Sequence, residues 1–254
     1  MQHHNDPVTA EPTATATHEN RLLAALPPDE LEAIRPELEP FSHEVRDVIY
    51  HADEPIEHVV FPCTGVISLL TLGDEARTLI EVATVGNEGF VGLPVFLGAD
   101  RTAGMAISQI PGRAVRMEAE AFRQAVARSP ELTALLNRYT LALFTQVAQT
   151  SFCNRIHPIE QRCARWLLMC NDRVESPEYP LTHEFLSQML GVRRAGVSEA
   201  VGGLRDRGLI DYRRGWVQIL DRDGLEAASC ECYRIILDEH RRLIGTTPAA
   251  GVPA

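Results

Sequence analysis

The chain has 254 residues, a formal net charge of -11 and 45% hydrophobic residues. That length accommodates two modest domains with separate cores, and the composition is that of a water-soluble globular protein. No stretch approaches the roughly 20 apolar residues of a membrane-spanning helix. The first residues, MQHHNDPVTAEPTATATHEN, lack the basic region and apolar core of a secretory signal, so the expected location is the cytoplasm.

Residues 1–18, rich in Pro, Thr and Ala, read as a disordered lead. Glu19 to Ala25 and Pro28 to Leu38 then read as short helices, the second with Pro28 near its start and Asp29 and Glu30 in its first turn. From Phe41 to Met117 the texture changes to short β-rich runs: Asp47–Tyr50, His58–Phe61, Gly65–Leu72, Thr78–Val85, Met105–Gln109 and Gly112–Met117. Turn residues separate them at intervals that suit an antiparallel barrel or jelly roll, with LGDEAR (72–77) as a hairpin turn. The segment 85–104 carries Gly86, Gly89, Gly92, Gly98 and Gly104 between bulky apolar residues. Two readings stay open for it: a cradle of backbone N–H groups for an anion, or a corner packed on the barrel. It has no G-x-G-x-x-G and no Gly-Lys-Ser/Thr, which excludes the common dinucleotide and P-loop signatures.

Ala119 to Ala127 is a short helix, and Ser129 caps a long one. In the latter Leu132, Leu135, Leu136, Tyr139, Leu143, Phe144 and Val147 recur at helical spacing with almost no charge from Tyr139 to Phe152. One side is expected to meet the barrel and another a second subunit, with Leu132, Leu136, Tyr139, Leu143, Phe144 and Val147 as dimerisation residues. A monomer in which the C-terminal domain covers this face is the alternative. A hinge is expected at Asn154 to Pro158, followed by the helix IEQRCARWLLMCNDRV.

Leu181 to Asp221 reads as helix, tight turn, helix and two-stranded wing. Thr182 caps the first helix, whose stripe is Phe185, Leu186, Met189 and Leu190; Gly191 ends it. Val197, Ala200, Val201 and Leu204 face inward from the second, leaving Arg193, Arg194, Ala195, Ser198 and Glu199 at its outward start. A helix-turn-helix protein puts this end into the major groove. Leu209 to Tyr212 and Trp216 to Leu220 form the wing around an Arg-Arg-Gly turn. From Val192 to Gly215, six arginines against Glu199, Asp206 and Asp211 make a local net of +3 within an acidic chain. A cationic patch needs positive charge only at the contact face. Asp223 to Ile244 reads as helical and the last ten residues as tail.

With this order of parts, residues 20 to 244 resemble the Crp/Fnr superfamily of bacterial transcription regulators. The resemblance is carried by EQRCARWLL, by LTHEFLSQMLGVRRAGVSEAVGGLRDRGLIDYRRGWVQILDRDGLE and by the G-x-x-G-F-V-G run from Gly86 to Gly92. It implies an α+β fold: an N-terminal cyclic-nucleotide-binding-type barrel (19–128), a dimerisation helix and hinge (129–157) and a winged helix-turn-helix (158–244), with a tail at 245–254. It also implies double-stranded DNA, a second copy of the chain, RNA polymerase and an unidentified small-molecule effector as partners, and no enzymatic activity. Thr182 and His183 match the family's backbone-contacting positions; Arg193, Arg194, Ala195, Ser198 and Glu199 match its base- and phosphate-facing ones. Arg194 is then the chief base reader, with Arg193, Arg213 and Arg214 on phosphates and Trp216 bracing the wing.

The departures concern the effector. Where cyclic-AMP-responsive members hold the ribose with a glutamate, this chain has Leu93, and Arg101-Thr102 stands two residues before the family's Arg-Ser/Thr pair. Leucine accepts no hydrogen bond, so Gly86, Gly92, Leu93, Arg101 and Thr102 are an effector set from which cyclic AMP is not expected. Ala195 replaces the recognition-helix glutamate, so the family's usual site does not transfer.

Of the six cysteines, none precedes Cys63, which excludes the N-terminal iron–sulfur arrangement of oxygen-sensing members. Cys153, Cys163 and Cys170 read as small buried hydrophobes. Cys230-Glu231-Cys232 lacks two further ligands nearby in sequence, so neither metal nor cofactor is expected. His43, His51 and His58 do not have the His-x-His spacing of a cupin metal site. A non-DNA signalling scaffold on the same barrel is the remaining alternative, and the arginine-laden wing argues against it.

Overall fold

The computed structural model of the protein describes residues 19–73 and 79–245. The expected N-terminal lead, most of the turn at 72–77 and nearly all of the tail lie outside these residues. Asn20 ties the first helix, α1 (Arg21–Ala24), to the barrel: its Oδ1 accepts from Leu23 N at 2.9 Å, and its Nδ2 donates to the carbonyls of Pro62 and Gly89. Helix α2 (Pro28–Ile34) continues only as a 3-10 turn, Arg35–Glu37. It is shorter than expected because Pro36 has no N–H with which to continue the helical hydrogen bonds.

Seven strands follow: β1 (Glu39–His43), β2 (Val48–Tyr50), β3 (His58–Pro62), β4 (Val66–Leu72), β5 (Leu79–Val85), β6 (Met105–Ile110) and β7 (Gly112–Glu118). They form two antiparallel sheets, ordered β1-β7-β3 and β2-β6-β4-β5. Strand β1, with mostly exposed side chains and a proline, carried no alternating signal; pairing with β7 defines it. Helix α3 (Leu93–Phe96) lies between β5 and β6, and α4 (Ala119–Arg128) leads to the long α5 (Pro130–Ile156). As expected, Ser129 caps α5, its Oγ accepting from Leu132 N at 2.9 Å. His157-Pro158 ends it, since the residue before proline is pushed out of helical geometry. At 27 residues, α5 is about 40 Å long.

The first core joins the barrel to α1, α2, α4 and one side of α5. At its centre Phe90 packs against Phe61, Phe122 and Tyr139 with ring centroids 5.7, 5.6 and 5.2 Å away. Leu132, Leu135, Leu136 and Leu143 of α5 are buried in it and contribute about 1.5–3 kcal/mol each by leaving water.

The C-terminal domain comprises α6 (Ile159–Asn171), β8 (Glu178–Pro180), α7 (His183–Leu190), α8 (Arg194–Asp206), β9 (Ile210–Arg213), β10 (Trp216–Ile219), α9 (Arg222–Ala228) and α10 (Cys232–Ile244). The single helix expected from Asp223 to Ile244 is two, broken at 229–231. There the Ser229 hydroxyl donates to Glu226 O and competes with the helix's own bonds. Strand β8 was not anticipated; it makes the wing a three-stranded sheet, β8-β10-β9.

The two domains are docked. Val66, Leu70, Ile107 and Ile110 of the barrel share a second core with α6, α7 and α8, and α6 is buried from Arg162 to Asn171. Polar groups cross the same joint. Arg173 donates to Glu88 Oε1 through Nη2 at 2.7 Å and Nε at 2.9 Å, and to Met169 O and Thr84 Oγ1 through Nη1. Trp166 Nε1 donates to Glu81 Oε1 at 2.9 Å; Ser68 Oγ lies 2.7 Å from Glu81 Oε2 and 2.5 Å from Gln109 Oε1.

One hydroxyl proton cannot serve both the Glu81 and the Gln109 oxygens. A protonated Glu81 donating to Ser68, with Ser68 donating to Gln109, satisfies all three groups. Burial acts the same way, pushing the Glu81 carboxyl up to about 7. The folded chain therefore keeps a proton that the unfolded chain releases near pH 4.5, and this contribution to stability is lost as pH rises towards 7. Glu81→Gln is expected to flatten the fall in the urea midpoint between about pH 4.5 and 7. Parallel pH profiles for the variant and the parent would contradict it.

Candidate nucleic-acid interface

The helix-turn-helix arises from local signals. Thr182 Oγ1 accepts from Phe185 N at 3.1 Å to open α7, and Gly191, at φ 61, closes it in the left-handed conformation. Arg193 then caps α8 without a side-chain bond; Gly196 N donates to Arg193 O at 3.0 Å, and no cap side chain closes the positive end of the helix ahead of it. Arg193, Arg194, Ala195, Ser198 and Glu199 are exposed around this end, while Val197, Ala200, Val201 and Leu204 are buried. Gly196 faces α6: a Cβ there would lie 2.8 Å from Cδ1 at the end of the Ile159 side chain.

The wing turn is a two-residue hairpin, Arg214-Gly215, with φ of 50 and 82 at its two positions. Tyr212 joins wing to motif. Its hydroxyl donates to Leu181 O at 3.0 Å, and its ring stacks on His183 with centroids 4.6 Å apart. His183 Nδ1 lies 3.0 Å from Ser198 Oγ, and Ser198 donates to Arg194 O at 3.1 Å. His183 is therefore the donor to Ser198 through its Nδ1–H. Burial, assisted by the Arg194 charge, lowers the His183 pKa and favours the neutral ring. His183 and Ser198 are thus bonded to each other at the start of α8.

The electrostatics separate the arginines. Arg205 pairs with Asp206, Arg207 with Glu160 at 2.6 Å and Arg213 with Asp211 at 2.8 Å. Among the described residues Arg193, Arg194 and Arg214 have no ion-pair partner, and Glu199 pairs with neither Arg194 nor Arg205. Three uncompensated guanidiniums thus flank the open helix end and the wing tip.

The other expected sites are redistributed. Leu132, Leu136, Tyr139 and Leu143 are buried within this chain's own barrel core, and Tyr139 donates to Phe90 O at 3.1 Å, so these four do not face a partner. A second flank of α5 is covered by α10, where Arg138 Nε donates to Leu243 O. Of the six residues assigned to dimerisation, Phe144 remains exposed at 68% and Val147 is half-buried. The bare stripe consists of Leu141, Phe144, Phe152 and Ile156, all on one face of α5.

The effector set does not converge either. A Cβ on Gly86 would lie 2.5 Å from the Arg173 side chain, and one on Gly89 would lie 2.3 Å from the Tyr139 ring. These glycines admit the Arg173 and Tyr139 side chains, which favours the packed corner over the anion cradle. Gly92 sits at φ 119 against Val59, Leu93 begins α3, and Thr102 Oγ1 accepts from Gly104 N. Arg101 is exposed and paired with Asp100 at 3.3 Å. His43 is buried on Ser108 Oγ at 2.7 Å, His58 is half-buried and His51 is exposed, so these histidines form no metal group. Cys163 and Cys170 are buried as expected, but Cys153, Cys230 and Cys232 gather around His157, supplying the further ligands that the sequence around Cys230 lacked.

Residues 161–228 match the family model described as the Crp-like helix-turn-helix domain. Among solved structures, the chain is similar to FixK2 from Bradyrhizobium japonicum at 18% identity and a TM-score of 0.65, covering 76% of this chain and 98% of that one. It is also similar to a putative Crp/Fnr-family transcriptional regulator from Eubacterium rectale, at 18% identity and a TM-score of 0.63 over 82% and 96% of the two chains. A third similar structure is CLP, the c-di-GMP-responsive global regulator of Xanthomonas campestris, at 14% identity and a TM-score of 0.61 over 75% and 98%. No curated protein sequence matches the chain significantly. Among the described residues no helix is long and apolar enough to cross a membrane.

Proposed function

We propose that this chain, which carries a Crp-like helix-turn-helix domain on a fold shared with solved Crp/Fnr-type regulators, is itself a regulator of that type and binds a palindromic DNA site as a homodimer. The observation that carries this reading is the placement of the uncompensated charge. In a chain of net -11, Arg193, Arg194 and Arg214 stand open at the start of α8 and at the wing tip, while the other arginines of the motif are paired. Arg194, at the helix start, is positioned to read a guanine edge bidentately, with Glu199 one turn further along. Arg193, Arg214 and the Thr182 hydroxyl serve phosphates. Arg213 is the weaker contact because Asp211 already holds it.

The bare stripe on α5 supports the homodimer: two copies crossing there bury Phe144 and its neighbours and present two α8 helices to two half-sites. Phe144→Asp is expected to convert dimers to monomers in sedimentation velocity and to weaken binding to a palindrome by roughly 100-fold or more. A variant that stays dimeric would place the interface elsewhere. The barrel's effector is not cyclic AMP in this reading, since Leu93 offers no ribose acceptor and Arg101 is held by Asp100. Affinity for the selected site is therefore expected to be unchanged by added cyclic AMP, as measured by fluorescence anisotropy.

A further inference from the structure

Four side chains that the DNA-binding account does not use meet at the joint between α5 and the C-terminal helices. Cys153 lies in the last turn of α5, and His157 is that helix's C-cap. Cys230 lies on the break between α9 and α10, and Cys232 opens α10. The Sγ atoms of Cys153 and Cys230 are 3.4 Å apart, Cys232 Sγ is 3.6 Å from His157 Nδ1, and all four donor atoms lie within 4.8 Å of one another. The three thiols are buried and form a cluster separate from both apolar cores. Cys153, Cys230 and Cys232 are free thiols.

We propose that Cys153, His157, Cys230 and Cys232 bind one thiophilic divalent cation, with zinc the best match, in a closed tetrahedral site. An ion about 2.3 Å from each sulfur and 2.0–2.1 Å from an imidazole nitrogen places its tetrahedral ligand atoms about 3.5–3.8 Å apart. The Cys232–His157 separation of 3.6 Å falls within that range and the Cys153–Cys230 separation of 3.4 Å just below it, and a modest contraction of the longest completes the site. The donors of a polynuclear iron–sulfur cluster attach to different iron atoms and spread farther, so a single ion fits better. Three thiolates and one imidazole favour zinc over the hard oxygen-seeking cations. Four protein ligands leave no open position, which makes the site structural.

Two further features fit. His157 turns Nδ1 to the thiols while its Nε2 is 3.3 Å from Glu231 Oε1, the carboxylate partner that orients a metal-bound imidazole and fixes its tautomer. Three thiolates around a divalent ion leave one negative charge, and the buried guanidiniums of Arg162 and Arg165 lie within electrostatic reach of these sulfurs. The ion would clamp the end of the long helix to the final two helices of the DNA-binding domain, across the hinge. A bare C-x-C motif does not suggest this, because Cys153 is 77 residues from Cys230.

The test is metal analysis of the full-length chain purified under reducing conditions without chelator. About one zinc per chain is expected, together with a visible d–d spectrum typical of tetrahedral thiolate coordination after exchange for cobalt(II). Cys230→Ser/Cys232→Ser is expected to abolish both. Because that variant can misfold, Glu231→Gln, a change at an exposed carboxylate, provides a second reading: roughly tenfold weaker zinc affinity with an unchanged far-ultraviolet spectrum. A chain without stoichiometric metal that also gives no thiolate–cobalt spectrum overturns the proposal. A Cys153–Cys230 disulfide in that metal-free chain would identify the cluster as a redox pair instead. A cobalt spectrum that survives the double substitution equally overturns it.

Discussion

Glu88→Gln is expected to destabilise the chain by about 3–5 kcal/mol, the usual cost of leaving one member of a buried ion pair without the other. The side chains of Glu88 and Arg173 are 4% and 6% exposed. Glu88 belongs to the glycine-rich corner of the barrel and Arg173 to the segment just after α6, so this pair and the shared apolar core hold the domains in one arrangement. Burial alone would raise the Glu88 carboxyl, but the Arg173 guanidinium overrides it and holds the pKa at about 2. The sign follows: a depressed carboxylate pKa stabilises the fold above the unfolded value near 4.5, and this contribution is lost as pH falls through that value towards 2. Urea unfolding at pH 7 and pH 3 tests both parts. The variant should lose most at pH 7 and converge on the parent in acid. A small loss at pH 7, or one independent of pH, would mean that the joint does not depend on this pair.

Arg194→Ala is expected to cost about 1–3 kcal/mol on the cognate duplex, some 5- to 150-fold in affinity, with relaxed preference at one base pair per half-site. Arg194 is exposed and without an ion-pair partner among the described residues, so its removal disturbs no internal contact except through Ser198, which bonds only its carbonyl. Arg214→Ala is the comparison. It removes a charge from the wing tip and should weaken specific and random DNA alike while making the salt dependence shallower by about one counterion. Equal losses on both kinds of DNA for both variants would contradict this division between base reading and phosphate binding.

The parts that were legible in sequence depend on neighbours along the chain. The caps at Ser129 and Thr182, the glycine that ends α7 and the buried stripe of α8 are all set within one or two turns, and each lies where local chemistry puts it. The features that were not legible depend on partners far away. Apolar residues cover most sides of α5, so spacing alone could not say which side meets the barrel, which meets α10 and which stays bare; the docked structure assigns Leu136 and Tyr139 to the first and Phe144 to the last. The glycines at 86 and 89 read equally as a ligand cradle until the Arg173 and Tyr139 side chains are seen against them. Arg173 and Glu88 are 85 residues apart, and nothing in either segment announces the other. At the interface, local sequence places His183 at the start of the first motif helix and Ser198 on the second, but only the fold reveals that they are bonded to each other.

The most direct test of the DNA-reading account is selection from a random duplex pool by the purified chain, followed by a salt titration on the enriched sequence. The expected result is an inverted repeat with half-sites about one helical turn apart and an affinity that falls steeply with salt. The contrary result is a pool that stays random both for the chain alone and after addition of cell extract or a panel of nucleotides, which would mean that the open arginines of α8 and the wing do not read DNA.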